Sequence, residues 1–162
     1  MQNLLLKTRV FFIRTFNFIR RKTVISFFVN EIQKWNYDSL AQALIKDSKF
    51  KLQIVLIPVH LANISYDEQM EQMEKFFLSK GYKNIVYGFK GGKFVNHDKI
   101  FTTNISFFVQ NWYFATSPFS FANMKKISKI CYMPYSAGIF KPSVNPTFTY
   151  KELGMCSYIF TV

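Results

Sequence analysis

The side chains best suited to ligand chemistry in this chain follow predicted strands. Glu31, Lys34 and Trp35 come directly after the first buried strand, and Trp112 and Tyr135 follow two later strands. The carboxyl ends of parallel strands meet at one edge of an open α/β sheet, where such sheets bind ligands. A carboxylate, an ammonium group and aromatic faces at this edge predict a site that stacks on a sugar or holds a lipid tail.

Each of these residues also has a purely structural interpretation. Glu31, Lys34 and Trp35 could cap and staple the following helix, with Trp35 in an exposed polar loop. Trp112 and Tyr135 could pack in the core or against another domain, since buried aromatic rings make large apolar contributions. For these two aromatic residues, packing is the preferred interpretation.

Cysteine and histidine offer little material for metal or redox chemistry. Cys131 and Cys156 lie far apart and form neither a paired metal-ligand motif nor a Cys-x-x-Cys motif. We interpret them as buried thiols in a reducing cytoplasm. His60 and His97 are isolated and are interpreted as surface or loop residues. The sequence therefore assigns no catalytic residue, no metal site and no cofactor.

The length and composition predict one globular domain with an excess of apolar residues. A chain of 162 residues can bury roughly two thirds of the surface that its unfolded form exposes. Hydrophobic residues make up 49% and aromatic residues 19%, including 20 Phe, which excludes a mainly disordered chain. We expect some of the apolar surface to meet a membrane or a partner domain.

The net charge is +12, and half of this excess lies near the N terminus. Residues 1–30 contain no acid and six cations, namely Lys7, Arg9, Arg14, Arg20, Arg21 and Lys22. A charge this positive attracts phosphate, whether in nucleic acid, anionic lipid or a phosphorylated substrate.

Residues 1–23 are predicted to form a basic amphipathic helix. Phe and Leu alternate with Arg and Lys, so no apolar run approaches the roughly 20 residues that span a bilayer. Arg9 and Arg14 interrupt the apolar region that a signal peptide needs, and no small-residue cleavage site follows. The pattern favours a helix on an anionic membrane, with rings in the interface and cations near headgroups. The alternative is a helix packed on the chain's own sheet.

Behind this helix, strands and helices alternate as in an α/β domain. Near-continuous apolar runs at 24–29 and 51–59 predict parallel strands that are covered on both faces. Shorter strands are predicted at 85–89, 105–110 and 127–133. We therefore expect a Rossmann-like, mainly parallel sheet.

Two helices are predicted between these strands. Asp38 or Ser39 can cap the first, whose apolar residues at 40–45 have helical spacing. The second covers residues 67–81, beginning with acids and ending with a glycine. Its buried stripe is predicted to contain Met70, Met73, Phe77 and Leu78. Residues 90–93 contain two glycines without phosphate-loop spacing and are interpreted as a turn.

Four short blocks, in order along the chain, resemble a known family. They are Phe27–Leu40, Phe50–Pro58, Phe107–Trp112 and Cys131–Tyr135, and the resemblance covers roughly residues 22–140. These blocks resemble the N-terminal half of CDP-glycerol glycerophosphotransferase-like proteins of bacterial teichoic-acid and capsule synthesis. The resemblance implies the N-terminal domain of a GT-B fold.

In such a fold the N-terminal domain holds a lipid-linked or polymeric acceptor, and the C-terminal domain holds the CDP-activated donor. The resemblance implies that an acceptor hydroxyl attacks the donor's β-phosphate, which needs a base and groups that stabilise pyrophosphate charge. Residues 134–138 match the position of a His-Gly pair in active relatives but contain no histidine. We therefore expect a truncated acceptor-side portion that is inactive without a separate donor-binding domain.

The sequence thus predicts a helix over 1–23, an acceptor-side domain over 24–140 and an irregular tail over 141–162. The expected location is the cytoplasm, peripheral to the inner face of the cell membrane. A basic nucleic-acid-binding module is the alternative, since cations and aromatic rings can track phosphates and stack bases. It is disfavoured because the cations gather in the first helix and the aromatic residues in apolar runs. A structural remnant without activity is a third interpretation.

Overall fold

The chain alternates helices and strands, and a computed structural model describes residues 2–19, 22–59, 63–95, 98–108, 118–133 and 156–159. The first elements are α1 (Gln2–Ile19), β1 (Thr23–Val29), a 3-10 helix (Ile32–Lys34), α2 (Asp38–Lys46), β2 (Phe50–Leu56) and α3 (Tyr66–Ser79). They are followed by β3 (Ile85–Tyr87), β4 (Phe89–Lys90), β5 (Lys93–Phe94), α4 (Asp98–Phe101), β6 (Ile105–Phe108), α5 (Phe121–Met124), β7 (Lys129–Tyr132) and β8 (Tyr158–Ile159).

Six of the described strands form one sheet in the order β3-β2-β1-β6-β7-β8. Each pairing between neighbouring strands of this sheet is parallel. Counted along the chain, the sheet strands follow the order 3-2-1-4-5-6, which is that of the doubly wound Rossmann sheet. The predicted Rossmann-like, mainly parallel sheet is therefore confirmed. The crevice at which such sheets bind ligands lies beyond the carboxyl ends of β1 and β6.

Apolar side chains cover both faces of the sheet because the central strands are apolar at nearly every position. On one face, Phe27 and Ile54 pack with Phe77 of α3. On the other face, Phe28 packs with Phe121 of α5 in a second cluster. Rings stack between β1 and β6 on both faces, with centroid distances of 4.8 Å for Phe27 and Phe107 and 4.6 Å for Phe28 and Phe108. This burial on both faces is what the uninterrupted apolar runs predicted.

Helix α3 departs from the predicted buried stripe at one position. Leu78 is 53% exposed, so its assignment to the stripe is wrong. The buried residues of α3 are Gln69, Met70, Met73 and Phe77. Gln69 can lie on this face because its side-chain Oε1 accepts a hydrogen bond from the N–H of Val59 at 2.7 Å. A glutamine that satisfies a backbone donor is buried at little cost.

The start of α2 differs from the prediction that Asp38 or Ser39 caps it, and α3 has a serine cap that the sequence did not predict. Tyr37 occupies the N-cap position of α2 and makes no side-chain capping bond. Asp38 therefore does not cap α2, and its carboxylate accepts bonds from outside the helix. Ser65 caps α3, since its hydroxyl accepts from the N–H of Glu68 at 3.2 Å.

The turn predicted for residues 90–93 is confirmed by an antiparallel hairpin of β4 and β5. Gly91 and Gly92 have φ values of 56° and 76°, which residues with a Cβ adopt at a cost. Phe89 and Phe94 pair across the hairpin, and their rings meet edge-on at 5.4 Å. The hairpin therefore carries an aromatic pair just after β3.

A short strand lies within the segment that the sequence predicts to be irregular, residues 141–162. Strand β8 pairs in parallel with β7, and Tyr158 is opposite Cys131. Two residues are too few to show an alternating pattern, so periodicity gives no signal for this strand. Apart from residues 156–159, this segment lies outside the described residues.

Candidate functional site

Helix α1 packs on the domain through one of its faces. The residues of this face are Val10, Ile13, Arg14 and Asn17. Arg14 Nη2 donates to the carbonyl oxygens of Phe101 at 3.1 Å and Ile127 at 2.8 Å. These carbonyls precede β6 and β7, so α1 lies at the end of the sheet where those strands begin. Arg14, which the sequence assigns to a membrane surface, is engaged with the domain.

The opposite face of α1 is apolar and exposed. Its stripe consists of Leu5 at 64%, Phe12 at 66%, Phe16 at 52% and Ile19 at 72% exposure. Spacings of seven, four and three residues place these side chains on one side of a helix. Phe11 and Phe18 are also exposed on α1. A cluster of large exposed apolar side chains marks an interaction surface.

Several cations lie in the same N-terminal segment of the sequence as this apolar stripe. Lys7 and Arg9 are exposed on α1, and Lys22 is exposed immediately before β1. Arg9 forms a 3.8 Å ion pair with Asp98, and its side chain remains 72% exposed. Arg20 and Arg21 lie outside the described residues. The described cations of this segment therefore include both exposed groups and the docked Arg14.

At the carboxyl end of β1, the structure brings Glu31 and Lys34 together as an ion pair. Both side chains are largely covered, with 17% exposure for Glu31 and 15% for Lys34. Their opposite charges neutralise one another, so the pair contributes little net field to the crevice. Trp112 and Tyr135, the other residues predicted for this edge, lie outside the described residues.

Trp35 is buried, and the prediction that it lies in an exposed polar loop is wrong. Its ring is 9% exposed and meets Phe77 edge-on at 4.9 Å and Phe27 at 5.4 Å. The 3-10 helix turns the chain so that this ring lies over the sheet, although its sequence neighbours are polar. Such aromatic pairs contribute about 0.5–1.5 kcal/mol beyond the area they bury. Trp35 is therefore a core residue.

Asp38 is the centre of a polar cluster that sequence reasoning missed. Its Oδ1 accepts from Trp35 Nε1 at 3.2 Å and from the Tyr82 hydroxyl at 2.8 Å. Its Oδ2 lies 3.6 Å from Lys80 Nζ. Burial opposes ionisation of Asp38, but the two hydrogen bonds and Lys80 outweigh it and lower the pKa of this carboxyl. Burial and the bond to Asp38 raise the pKa of Tyr82.

This cluster joins the start of α2 to the end of α3, so its role is structural. Because the carboxylate stays ionised and the phenol stays protonated, neither group is poised for acid-base chemistry near neutral pH. Sequence patterns give little signal for it, since the partners of Asp38 include residues more than 40 positions away.

Tyr37 forms a second link that sequence reasoning missed. Its hydroxyl donates to the carbonyl oxygen of Met133 at 2.5 Å. Burial, together with the nearby Tyr132, raises the pKa of Tyr37. The bond ties the segment after β1 to the residue that follows β7, at the carboxyl edge of the sheet.

The connection from β1 to α2 does not fit a dinucleotide, although the strand order is that of dinucleotide-binding domains. Residues 30–37 contain no glycine, whereas close approach of backbone to a diphosphate requires several. Asp38 adds a carboxylate in the first turn of α2, where a bound phosphate would need positive charge. The turn is built for packing by Trp35 and Tyr37.

Within the described ranges, no three His, Cys, Asp or Glu side chains are grouped to hold a metal ion. Neither Cys131 nor Cys156 is in a disulfide, and burial raises the pKa of Cys131 to about 11. His60 and His97 lie outside the described residues. The described helices include none with the length and apolar character needed to cross a membrane.

Fold and surface together define a Rossmann-like α/β domain with an exposed apolar stripe on its first helix. Comparisons with protein-family models, curated proteins and solved structures found no match to this chain. Membership of the glycerophosphotransferase-like family therefore stays a prediction from the four sequence blocks.

Proposed function

We propose that this chain is a peripheral membrane protein whose helix α1 lies in the interface of an anionic bilayer. The observation that carries the proposal is the apolar stripe of Leu5, Phe12, Phe16 and Ile19, which faces away from the domain that α1 is docked on. A helix that packs only on its own sheet would turn these side chains inward. Under this proposal, the two interpretations left open by the sequence apply to two different faces of α1.

Two favourable terms support this proposal. Burying a large apolar side chain contributes about 1.5–3 kcal/mol, and a Lys or Arg near anionic headgroups about 1 kcal/mol. Lys7 and Arg9 are exposed, and Arg9 lies on the side of α1 next to the stripe, which suits the second term. Because α1 is already helical and docked, its insertion avoids the ordering cost of a disordered segment that folds on binding.

The proposed location is the cytoplasmic face of the cell membrane. That leaflet surface is negatively charged, which suits the basic N-terminal segment. Cysteines outside any disulfide, such as Cys131 and Cys156, suit a reducing compartment.

The acceptor-side role in glycerophosphate transfer is a proposal that rests on the resemblance. Its physical support is the strand order, which places the ligand crevice beyond β1, close to Glu31 and Lys34. A lipid-linked acceptor would share the membrane with α1. Donor binding and catalysis would belong to a separate domain.

Flotation of the full chain with lipid vesicles tests the membrane proposal. We expect binding to vesicles of phosphatidylcholine and phosphatidylglycerol to exceed binding to phosphatidylcholine alone, and to fall with salt. The double variant Leu5→Ser and Ile19→Ser should weaken binding at least about ten-fold, since two apolar side chains are lost. Its matched control is Leu78→Ser with Ile45→Ser, which changes exposed residues of the same types on α3 and α2.

Equal losses in the two double variants would contradict insertion of α1. So would equal binding of the unmodified chain to neutral and anionic vesicles. Light scattering tests a different occupant of the stripe. If the unmodified chain is a dimer, the Leu5 and Ile19 double variant is a monomer and neither protein binds vesicles, a second copy of the chain covers the stripe.

A further inference from the structure

Exposed lysines gather where the strands of the sheet begin. Lys22 directly precedes β1, Lys49 directly precedes β2, and Lys51 is the second residue of β2. Lys129 is the first residue of β7, and Lys83 lies two residues before β3. We call Lys49, Lys51 and Lys129 the basic row.

The strand register places Lys51 and Lys129 one residue apart in level, so their side chains leave opposite faces of the sheet at the same amino edge. Lys51 is opposite Val24 in β1, and Lys129 is opposite Ile105 in β6. Strands β2, β1, β6 and β7 are consecutive neighbours at spacings of about 4.8 Å, so the row crosses roughly 15 Å. Parallel pairing therefore presents cations from distant parts of the chain along one edge, the amino edge.

Most carboxylates of the described residues lie elsewhere. Helix α3 alone contains four of them, namely Asp67, Glu68, Glu71 and Glu74. Near the basic row, Asp47 accepts from the backbone N–H of Lys49 at 2.9 Å, and Asp98 pairs with Arg9. The molecule thus has a basic amino edge and an acidic α3, and such a separation of charge orients a protein on an anionic surface.

Helix α1 and the basic row belong to the same end of the molecule. Lys22 N–H donates to the carbonyl oxygen of Asn17 at 2.8 Å, which places the end of α1 at the start of β1. Arg14 joins the middle of α1 to the carbonyls that precede β6 and β7. A partner at this end meets an apolar stripe and a row of cations together.

An anionic bilayer has an apolar layer that matches the stripe of α1 and a layer of negative charge that matches the basic row. Its acyl boundary accepts Leu5 and Ile19, and its phosphate headgroups lie just outside, within reach of extended lysine side chains. A nucleic acid offers phosphates for the basic row but no apolar layer for aliphatic side chains. The combination therefore favours lipid as the occupant.

We propose that Lys49, Lys51 and Lys129 bind anionic lipid headgroups when α1 inserts, and that this second contact sets the orientation of the domain. The amino edge then faces the bilayer and the carboxyl edge faces away from it. Strand β1 has seven residues and spans about 23 Å, so the crevice beside Glu31 opens to water at about that height. This inference rests on the proposed membrane binding by α1.

The test compares two triple variants of the full chain with the same change in net charge. Lys49→Gln, Lys51→Gln and Lys129→Gln should weaken binding to vesicles containing phosphatidylglycerol by roughly 100-fold, about five-fold for each lysine. The control is Lys75→Gln, Lys90→Gln and Lys93→Gln, on α3 and the hairpin, which should change binding by less than about three-fold. Circular dichroism verifies that both variants are folded.

Lysine acetylation, read by mass spectrometry, maps the orientation directly. With anionic vesicles present, the basic row should be protected, while Lys75, Lys90 and Lys93 should react as in free protein. Equal effects of the two triple variants, or equal protection of all six lysines, would overturn the inference. Protection of the row by duplex DNA or RNA but not by vesicles would overturn it in favour of a nucleic-acid partner.

The two proposals fail in distinguishable ways. If the Leu5 and Ile19 variant binds vesicles as the unmodified chain does, the proposed function of α1 is wrong. If that variant loses binding while the basic-row variant does not, insertion of α1 stands and the oriented contact is wrong.

Discussion

At the scale of single residues, Asp38 shows how one side chain acquires its role from distant partners. It receives hydrogen bonds from Trp35, at the end of the 3-10 helix, and from Tyr82, after α3. Lys80 adds a nearby positive charge. These groups hold the carboxylate in its ionised form, so the stability that it provides depends on pH.

We expect Asp38→Asn to reduce the dependence of stability on acid pH. The pKa of Asp38 is lowered on folding, so its stabilising contribution is complete above the ordinary carboxyl pKa and is lost as pH falls through the folded value. At neutral pH the unmodified chain should be more stable by less than about 1 kcal/mol, because the side chain is 42% exposed and screened by solvent.

Urea unfolding at several pH values measures this difference. The advantage of the unmodified chain should shrink as pH falls below the ordinary carboxyl pKa, because the folded-state pKa of Asp38 is lowered. Asp67→Asn, on the exposed first turn of α3, is the control for removing an acid elsewhere. Parallel pH profiles for the unmodified chain and Asp38→Asn would show that the cluster adds no pH-dependent stability.

Gly88 provides a second prediction at this scale. A Cβ at this position would lie 2.9 Å from Ile57 Cγ1 and 3.1 Å from the carbonyl oxygen of Leu56. We expect Gly88→Ala to lower the free energy of unfolding by about 1–3 kcal/mol, as overpacking does. Thermal and urea unfolding measure the change.

The matched control for this variant is Gly92→Ala in the hairpin turn. Its Cβ would meet no atom within 4 Å, but its φ is 76°. The expected cost is therefore the conformational cost of the left-handed region, about 1 kcal/mol. A Gly88→Ala protein as stable as the unmodified chain would mean that the backbone relaxes to admit the methyl group.

At the scale of elements, α1 is a helix with two functions on opposite faces. Its inner face docks through Arg14 and the buried Asn17, and its outer face exposes the apolar stripe. The inner contacts fix which side chains point outward. Docking of α1 is therefore a condition for the proposed membrane contact.

We expect Arg14→Gln to release α1 from the domain. The variant loses two charge-assisted hydrogen bonds to backbone carbonyls, each worth about 1.5–3 kcal/mol in partly buried sites. Hydrogen exchange should become faster throughout α1, while the strands keep their protection.

Arg9→Gln is the control because it removes the same charge from the same helix. Its ion pair with Asp98 is long and exposed, so we expect a change of about 0–1 kcal/mol and little effect on exchange. If both variants exchange alike, Arg14 does not hold the helix.

At the scale of the whole molecule, the two candidate surfaces lie at opposite ends of the sheet. Helix α1 adjoins the starts of β6 and β7, whereas the Glu31 and Lys34 pair follows the end of β1. A lipid-linked acceptor would have to extend along the domain to reach this crevice. An acceptor with a long polar chain meets this condition better than a short lipid.

We expect the isolated chain to release no CMP from CDP-glycerol, even with an acceptor present. A transfer site must position both substrates, and proximity alone supplies roughly 7–11 kcal/mol, which the proposed acceptor side would not provide without a donor-binding domain. The matching segment after β7 also contains no histidine to act as a base. CMP release by purified protein, with and without a co-expressed donor-binding domain, is the measurement. Turnover by the chain alone would refute the acceptor-side role.

The local sequence pattern determined the longer elements of this protein and the class of its sheet, but not the short α4, α5 and β8. Strands β1 and β2 are apolar on both faces, so they require cover from two layers and form a parallel sheet. Helix α3 shows its 3.6-residue period, and the two glycines of the hairpin mark its turn. These features depend on near neighbours in the chain, which is why periodicity detects them.

The tertiary structure alone decided which faces are covered and which polar groups are satisfied. Trp35 is buried because the rings of Phe77 and Tyr82 pack against it. Leu78 is exposed although its helical spacing matches that of the core residues. Arg14 docks on carbonyls from residues about 90 and 110 positions away. Burial and hydrogen bonding depend on residues that are distant in the sequence, and a local sequence pattern does not identify those residues.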